Sequence, residues 1–190
     1  MSADIPTLAT PRLFQSLLGA GFAQLPAANQ AMHQIAGRSE AHGHARIERG
    51  RNLLARLVGA MARMPTAADR APLCVRFDTV NPYTEQWTRR FGTQAFSSRL
   101  AMEHGALVER LFPLTLRFRL QVADGVLHWQ LLDARVLGLI PMPRWFAPSV
   151  EAREWSDAGR YHFLAGVSLP GVGLIVRYQG SLDAPKPCPF

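Results

Sequence analysis

Residues 114–131 read LTLRFRLQVADGVLHWQL, and the pattern within them decides the fold. Leu114, Leu116, Phe118, Leu120 and Val122 alternate with Thr115, Arg117, Arg119 and Gln121. Ala123-Asp124-Gly125 then turns the chain, after which Leu127, Trp129 and Leu131 alternate with His128 and Gln130. Successive side chains of a strand point to opposite faces, so this spacing gathers the apolar groups on one face and the polar groups on the other. Asp-Gly between two such runs marks a β-hairpin.

The same alternation extends outward over residues 73–182. Strands are predicted over residues 73–80, 85–91, 95–103, 107–122 (bent at Pro113), 126–136, 150–155, 160–169 and 173–182. Asn81-Pro82, Gly92, His104-Gly105, Asp157-Ala158-Gly159 and Pro170-Gly171 punctuate them. Residues 140–149, with Pro141, Pro143 and Pro148, interrupt the meander as a loop or a single helical turn. A long twisted sheet with one apolar face must curl around a helix, itself or a ligand.

The N-terminal part is more helical. Residues 1–11 read as a flexible leader, with Thr10-Pro11 as helix cap and first helical position. Leu13, Phe14, Leu17 and Leu18 follow at helical spacing, ended near Gly19 or Gly21. A second short helix after Pro26 buries Met32 and Ile35. Residues 41–48 form a weakly patterned first strand. Asn52 caps a helix on which Leu53, Leu54, Leu57, Val58 and Met61 share one side, with Arg56 and Arg63 away from it.

Helices this short must dock on the sheet to persist. The expected fold is therefore mainly β (α+β), a strongly curved antiparallel sheet or barrel. Its N-terminal helices, over residues 12–34 and 52–63, pack on it or plug it. A sheet gripping one long helix is the alternative, weakened because no long helix follows Leu182. Residues 12–183 are expected to form a single domain and residues 184–190 a Pro-rich tail.

Composition narrows the function classes. The chain has 190 residues, 48% of them hydrophobic, enough to bury a core. Its net charge of +7 suggests an anionic partner, but Lys186 is the one lysine and the arginines are scattered. Arg76, Arg117, Arg119 and Arg153 fall on the polar parity of strands, and no basic run or aromatic ladder accompanies them, so nucleic-acid binding is not expected. Cys74 and Cys188 are too few and too differently placed for a disulfide framework. No apolar run is long enough for a transmembrane segment, and no basic region precedes the first apolar stretch, so a cytoplasmic protein is expected.

Arg89 is the position that asks most for an explanation. It shares a strand face with Trp87 and Phe91, and that face should be the inner one. A buried arginine needs a carboxylate or an anionic ligand. It therefore anchors an acidic head group, or it is a strand-end arginine reaching solvent over Trp87. One of Glu109 and Arg110 must also point inward, where it can partner Arg89 or Arg99 in an ion pair.

His42-Gly43-His44 puts two imidazoles on one strand face, but Glu40, Glu48 and His33 are merely nearby in sequence, and no metal or other cofactor is expected. His128 lies on a polar parity. Ser97 and Ser98 lack a nucleophile-elbow context, and no phosphate-cradling glycine motif occurs. Trp87, Phe91, Phe96, Phe118, Trp129, Phe163 and Tyr178 should face inward, as packing or as the walls of a ligand site.

Four segments together resemble a bacterial family that carries a domain-of-unknown-function label. They are IERGRNLLARLVG (47–59), WTRRFGTQAFSSRL (87–100), the stretch from LVERLFPLTLRFRL to IPMPRW (107–145) and the stretch from EAREWSDAGR to RYQGSL (151–182). The resemblance runs from about Leu13 to Leu182. It implies that members stand alone or follow saccharopine-dehydrogenase-like or other Rossmann-type oxidoreductases, and it supplies no catalytic residue. Trp87, Arg89, Phe91, Gly92, Phe96, Ser98, Glu109 and Arg110 match its recurring pattern.

The leading functional expectation is a binding module for a hydrophobic or acidic amphipathic small molecule, lipid-like in character. Its expected ligand-binding residues are Trp87, Arg89, Phe91, Ser98, Arg99, Glu109, Arg110, Phe118, Trp129 and Tyr178. An accessory domain for a Rossmann-type oxidoreductase is the second expectation, with an exposed apolar patch around Trp145-Phe146 and a solid interior. An enzyme acting on a hydrophobic ketone or polyketide-like substrate is the third, with Glu103, Glu109 and His128 as acid–base candidates.

Overall fold

The computed structural model describes residues 11–61, 64–143 and 145–188. The expected leader up to Thr10, the Met61 side chain and Arg63 lie outside the described residues. Ten long strands form a closed antiparallel barrel, the expected fold class. They are β1 (Arg38–Arg49), β2 (Ala68–Asn81), β3 (Thr84–Phe91), β4 (Gln94–Glu103), β5 (Ala106–Leu111), β6 (Leu114–Ala123), β7 (Val126–Val136), β9 (Ser149–Asp157), β10 (Arg160–Leu169) and β11 (Gly173–Leu182). Two short strands, β8 (Ile140–Pro141) and β12 (Lys186–Pro187), pair with β7 and β1.

Each long strand pairs antiparallel with the next, and β11 returns to β1 to close the wall, placing Ile47 opposite Tyr178. Closure needs small residues at this seam. A β-carbon on Gly180 would run into the His44 carbonyl, and one on Gly43 into the Ser181 carbonyl. The wall is weakest between β7 and β9, which pair only at Leu127–Glu154 and His128–Arg153.

The opening hairpin is as its alternation requires. Leu116, Phe118, Leu127 and Trp129 are buried in the barrel core, with Leu114, Leu120, Val122 and Leu131 packed against them. Asp124 and Gly125 both take positive φ, 51° and 74°, the conformation of a tight hairpin turn. Outside, Arg117 pairs with Asp133 at 2.7 Å and Arg177 with Glu151 at 3.1 Å. The inner face is thus mainly apolar and these outer positions are charged.

Three short elements fill the barrel from one end: α1 (Leu13–Leu18), a 3₁₀ turn (Gly19–Gln24) and α2 (Ala27–His33). Leu13 and Phe14 are fully buried, and Met32, Ile35 and Leu25 join the same core. Helix α1 starts later than Thr10-Pro11 predicts. Arg12 is its cap, and the Arg12 backbone N–H donates to Gln15 Oε1 at 2.9 Å. Residues 12–34 therefore plug the barrel as expected.

The other helix does not. In α3 (Leu53–Met61), Asn52 caps as predicted, its Oδ1 accepting the Ala55 N–H at 2.7 Å. Yet the helix approaches the barrel on its narrow side, burying Ala55 and Gly59, and leaves Leu53, Leu54 and Leu57 exposed. The close approach of Gly59 to the Arg49 guanidinium sets that orientation. The predicted single strand over residues 107–122 is also corrected. The chain reverses fully at Phe112-Pro113, making β5 and β6 adjacent strands with Leu111 opposite Leu114. Residues of the expected tail are partly ordered by the wall, since Lys186 and Pro187 pair with Glu40 and Ser39.

Candidate functional site

The interior contains a cavity of about 70 Å³, lined mainly by apolar and aromatic groups from β2, β3, β7, β9, β10 and β11. Trp87, Arg89, Phe91, Trp129 and Tyr178 are among its walls, as the strand parity predicts. Trp129 and the stretch from Ala152 to Glu154 border it on both sides of the place where β7 and β9 stop pairing.

Arg89 points inward because it alternates with Trp87 and Phe91. Its Nη1 donates to Ser98 Oγ at 2.8 Å, and Nη2 lies 3.4 Å from Glu109 Oε1. The two charged side chains are 11% and 13% exposed. The guanidinium also sits 5.1 Å from the Trp87 ring centroid and 5.5 Å from that of Phe96, in cation–π reach of both. Glu109 is thus the inward member of its pair. The Arg89–Glu109 ion pair, one of the alternatives read from the sequence, is present, and Trp87 and Phe96 flank the guanidinium.

Ser98 and Glu109 touch Arg89 without lining the cavity themselves, and three further expected residues take no part in the site. Arg99 follows the inward Ser98 and precedes the inward Leu100, so it is exposed on the outer wall. Arg110 points the same way and binds Glu103 at 2.7 Å. Phe118 is buried, 5.6 Å from Trp129 centroid to centroid, but belongs to the packed core beside the cavity. The acid–base candidates also separate: Glu103 holds Arg110 outside, His128 is exposed, and Glu109 alone is inside.

A second polar cluster was not foreseen. His33, fully buried at the end of α2, places Nε2 2.6 Å from Glu154 Oε2 and stacks on Phe14 at 3.8 Å. Glu154 also reaches the Tyr161 hydroxyl, whose ionisation is strongly opposed, first by burial and then by that carboxylate. Beside them Glu85, 5% exposed, accepts the Trp87 Nε1–H at 2.7 Å. Burial pushes the Glu85 carboxyl up, and the Trp87 hydrogen bond and His33 oppose that rise. The signal was available: Glu154 shares parity with Val150 and Ala152, and Glu85 with Trp87.

Donors predominate among the polar groups facing the cavity. Burial holds the Tyr161 and Tyr178 hydroxyls neutral; Tyr161 donates to Glu154, the carboxylate in the cavity lining, and the Tyr178 hydroxyl can donate inward. Trp129 Nε1 is buried without an acceptor among the described residues. Together with the Arg89 guanidinium, these groups suit an acidic group set against aromatic walls.

A possible metal set lies elsewhere, on the outer wall. Donor atoms of Glu40, His42 and Cys74 fall within 4.8 Å of one another, with His42 directly opposite Cys74 across β1 and β2. The register also sets Arg76 and Lys186 beside Glu40, and Arg90 beside Cys74. That positive surround opposes a cation, and burial pushes the Cys74 thiol up, away from the thiolate a metal needs. His33 is inside the barrel, away from this set.

The fold and site define a closed antiparallel β-barrel with a helical plug and an arginine-bearing aromatic cavity. The chain belongs to the family described as a domain of unknown function (DUF4166), whose model matches residues 25–182. No curated protein matches the chain.

Proposed function

We propose that this protein, as one barrel domain, binds a small amphipathic molecule whose acidic group is read by Arg89. The observation that carries the reading is the placement of Arg89 on the wall of an apolar cavity, with Ser98 at 2.8 Å and its carboxylate partner only at 3.4 Å. A ligand carboxylate or phosphate would complete the guanidinium's donors and take the Tyr178 and Trp129 donors as well. Trp87 and Phe91 would hold its apolar part.

Size constrains the ligand. Pockets for drug-sized molecules run to about 300–1,000 Å³, against about 70 Å³ here. A compact acid fits with local adjustment, whereas a long lipid-like chain requires the α1–α2 plug to yield or the β7–β9 wall to part. The accessory-domain reading has its exposed Trp145 and Phe146, but no feature of that surface speaks for a Rossmann-type oxidoreductase.

The test compares native and denaturing mass spectra of freshly purified protein, followed by titration with octanoate. A retained acidic adduct, or octanoate binding, that disappears in Arg89→Met while cooperative melting persists supports the reading. A bare chain that also ignores octanoate overturns it.

A further inference from the structure

The two ends of the barrel differ in chemistry. Antiparallel pairing sends the β2–β3, β4–β5, β6–β7 and β9–β10 turns to the plugged end, where they carry Glu103, Asp124 and Asp157. Helix α3 and the β3–β4, β5–β6, β7–β9 and β10–β11 connections form the opposite rim. Their sequences, residues 50–68, 91–94, 111–114, 137–148 and 169–173, contain no aspartate or glutamate.

Glu48 and Asp69 flank them on the strand ends, each against Arg46, and these connections are also where large apolar groups stand in solvent. Leu53 on α3 is 82% exposed and Trp145 on the β7–β9 connection 77%. Leu57, Phe112, Leu139 and Phe146 are exposed with them. Arg51 and Arg56 stand exposed beside Leu53 and Leu57, with no acidic partner among the described residues. Apolar groups of this size, on several separate connections at one end, are costly to leave in water.

We propose that this rim docks on the surface of an anionic lipid bilayer. Charge complementarity selects that occupant: Arg51 and Arg56 have no ion-pair partner among the described residues, the nearby Glu48 and Asp69 are engaged by Arg46, and the turns carrying Glu103, Asp124 and Asp157 lie at the far end of the barrel. An amphipathic helix with exposed leucines and a tryptophan–phenylalanine tip are the groups that settle at the boundary of head groups and acyl chains. The charged outer wall lacks the apolar band of a membrane-spanning barrel, so the protein stands on the surface by its rim. The proposal rests on groups outside the cavity and does not depend on Arg89.

The test is flotation of the full chain with vesicles of phosphatidylcholine alone and of phosphatidylcholine with phosphatidylglycerol, at low and high salt. Capture is expected on the anionic vesicles and should weaken as salt screens the arginines. Three double variants probe the rim: Leu53→Ser with Leu57→Ser, Trp145→Ser with Phe146→Ser, and Arg51→Glu with Arg56→Glu. Each should lower capture about tenfold with melting unchanged, while His128→Ala on the outer wall should have no effect. Absence of capture on both vesicle types overturns the proposal and leaves the rim to a protein partner. Capture that is equal on both vesicle types, or undiminished in all three double variants, also overturns it.

Discussion

His33 and Glu154 meet at 2.6 Å inside the barrel, joining the end of α2 to the β9 wall. The contact is the polar link between plug and wall, and it sits next to the stretch where β7 and β9 barely pair. His33→Leu would keep the stacking volume against Phe14 but leave the buried Glu154 carboxylate with Tyr161 alone. An unpaired buried group of this kind costs about 1–3 kcal/mol, more if charged. Chemical denaturation should show at least that loss. Unchanged stability would mean that the link contributes nothing.

Glu85 makes stability depend on pH. Its folded pKa lies above the ordinary value of 4.5, with burial the largest cause. The protein therefore binds this proton more tightly folded than unfolded. The stability contributed is fully present below the unfolded value and is lost as pH rises through the raised folded value. His33 and Arg12 moderate the rise, and Glu154 adds to it. Glu85→Gln can still accept from Trp87 and should lack this slope. The stability difference, variant minus native, should grow with pH upward from about 4.5, measured by denaturant midpoints. A difference flat across that range would remove Glu85 as the source.

The closing seam tolerates no side chain at Gly180. In Gly180→Val the β-carbon meets the His44 carbonyl and the Ala45 Cα, both backbone atoms that cannot step aside. Forced overpacking costs about 1–3 kcal/mol, and the seam between β1 and β11 should lose amide protection first. Gly166→Ala is the control, because its new methyl meets the Arg177 side chain at 3.4 Å and the Glu151 carbonyl at 3.9 Å, both ordinary contacts. Equal melting temperatures for the two variants would contradict the seam argument.

Alternation made most of the wall legible in advance. Leu116, Phe118, Leu127 and Trp129 show period two without interruption, and that is a direct readout of an inner face. The same parity placed Arg89 inside with Trp87 and Phe91. It did not decide between Glu109 and Arg110, because Leu107 and Val108 are both apolar and both buried. Pro113 was read as a bend, since no glycine or asparagine marks the reversal there. On α3 the leucine stripe pointed to burial, whereas packing followed the small side through Ala55 and Gly59. Helical amphipathicity states which face prefers burial, and it does not state whether the barrel offers a surface to receive it. His33 and Glu154 lie in segments with no shared pattern, and three-dimensional proximity alone unites them.

The closing pairs of the wall also have a kinetic meaning. Every other strand pairing among the ten joins neighbours along the chain, so each hairpin can form locally. Joining Ile47 to Tyr178 requires all the intervening strands to be gathered first. Loop closure over that span is entropically the most expensive step, and it is repaid only when the intervening strands are already in register. The ring should therefore be completed last during folding, from an open sheet whose two free edges, β1 and β11, are exposed to pairing with other chains until they find each other.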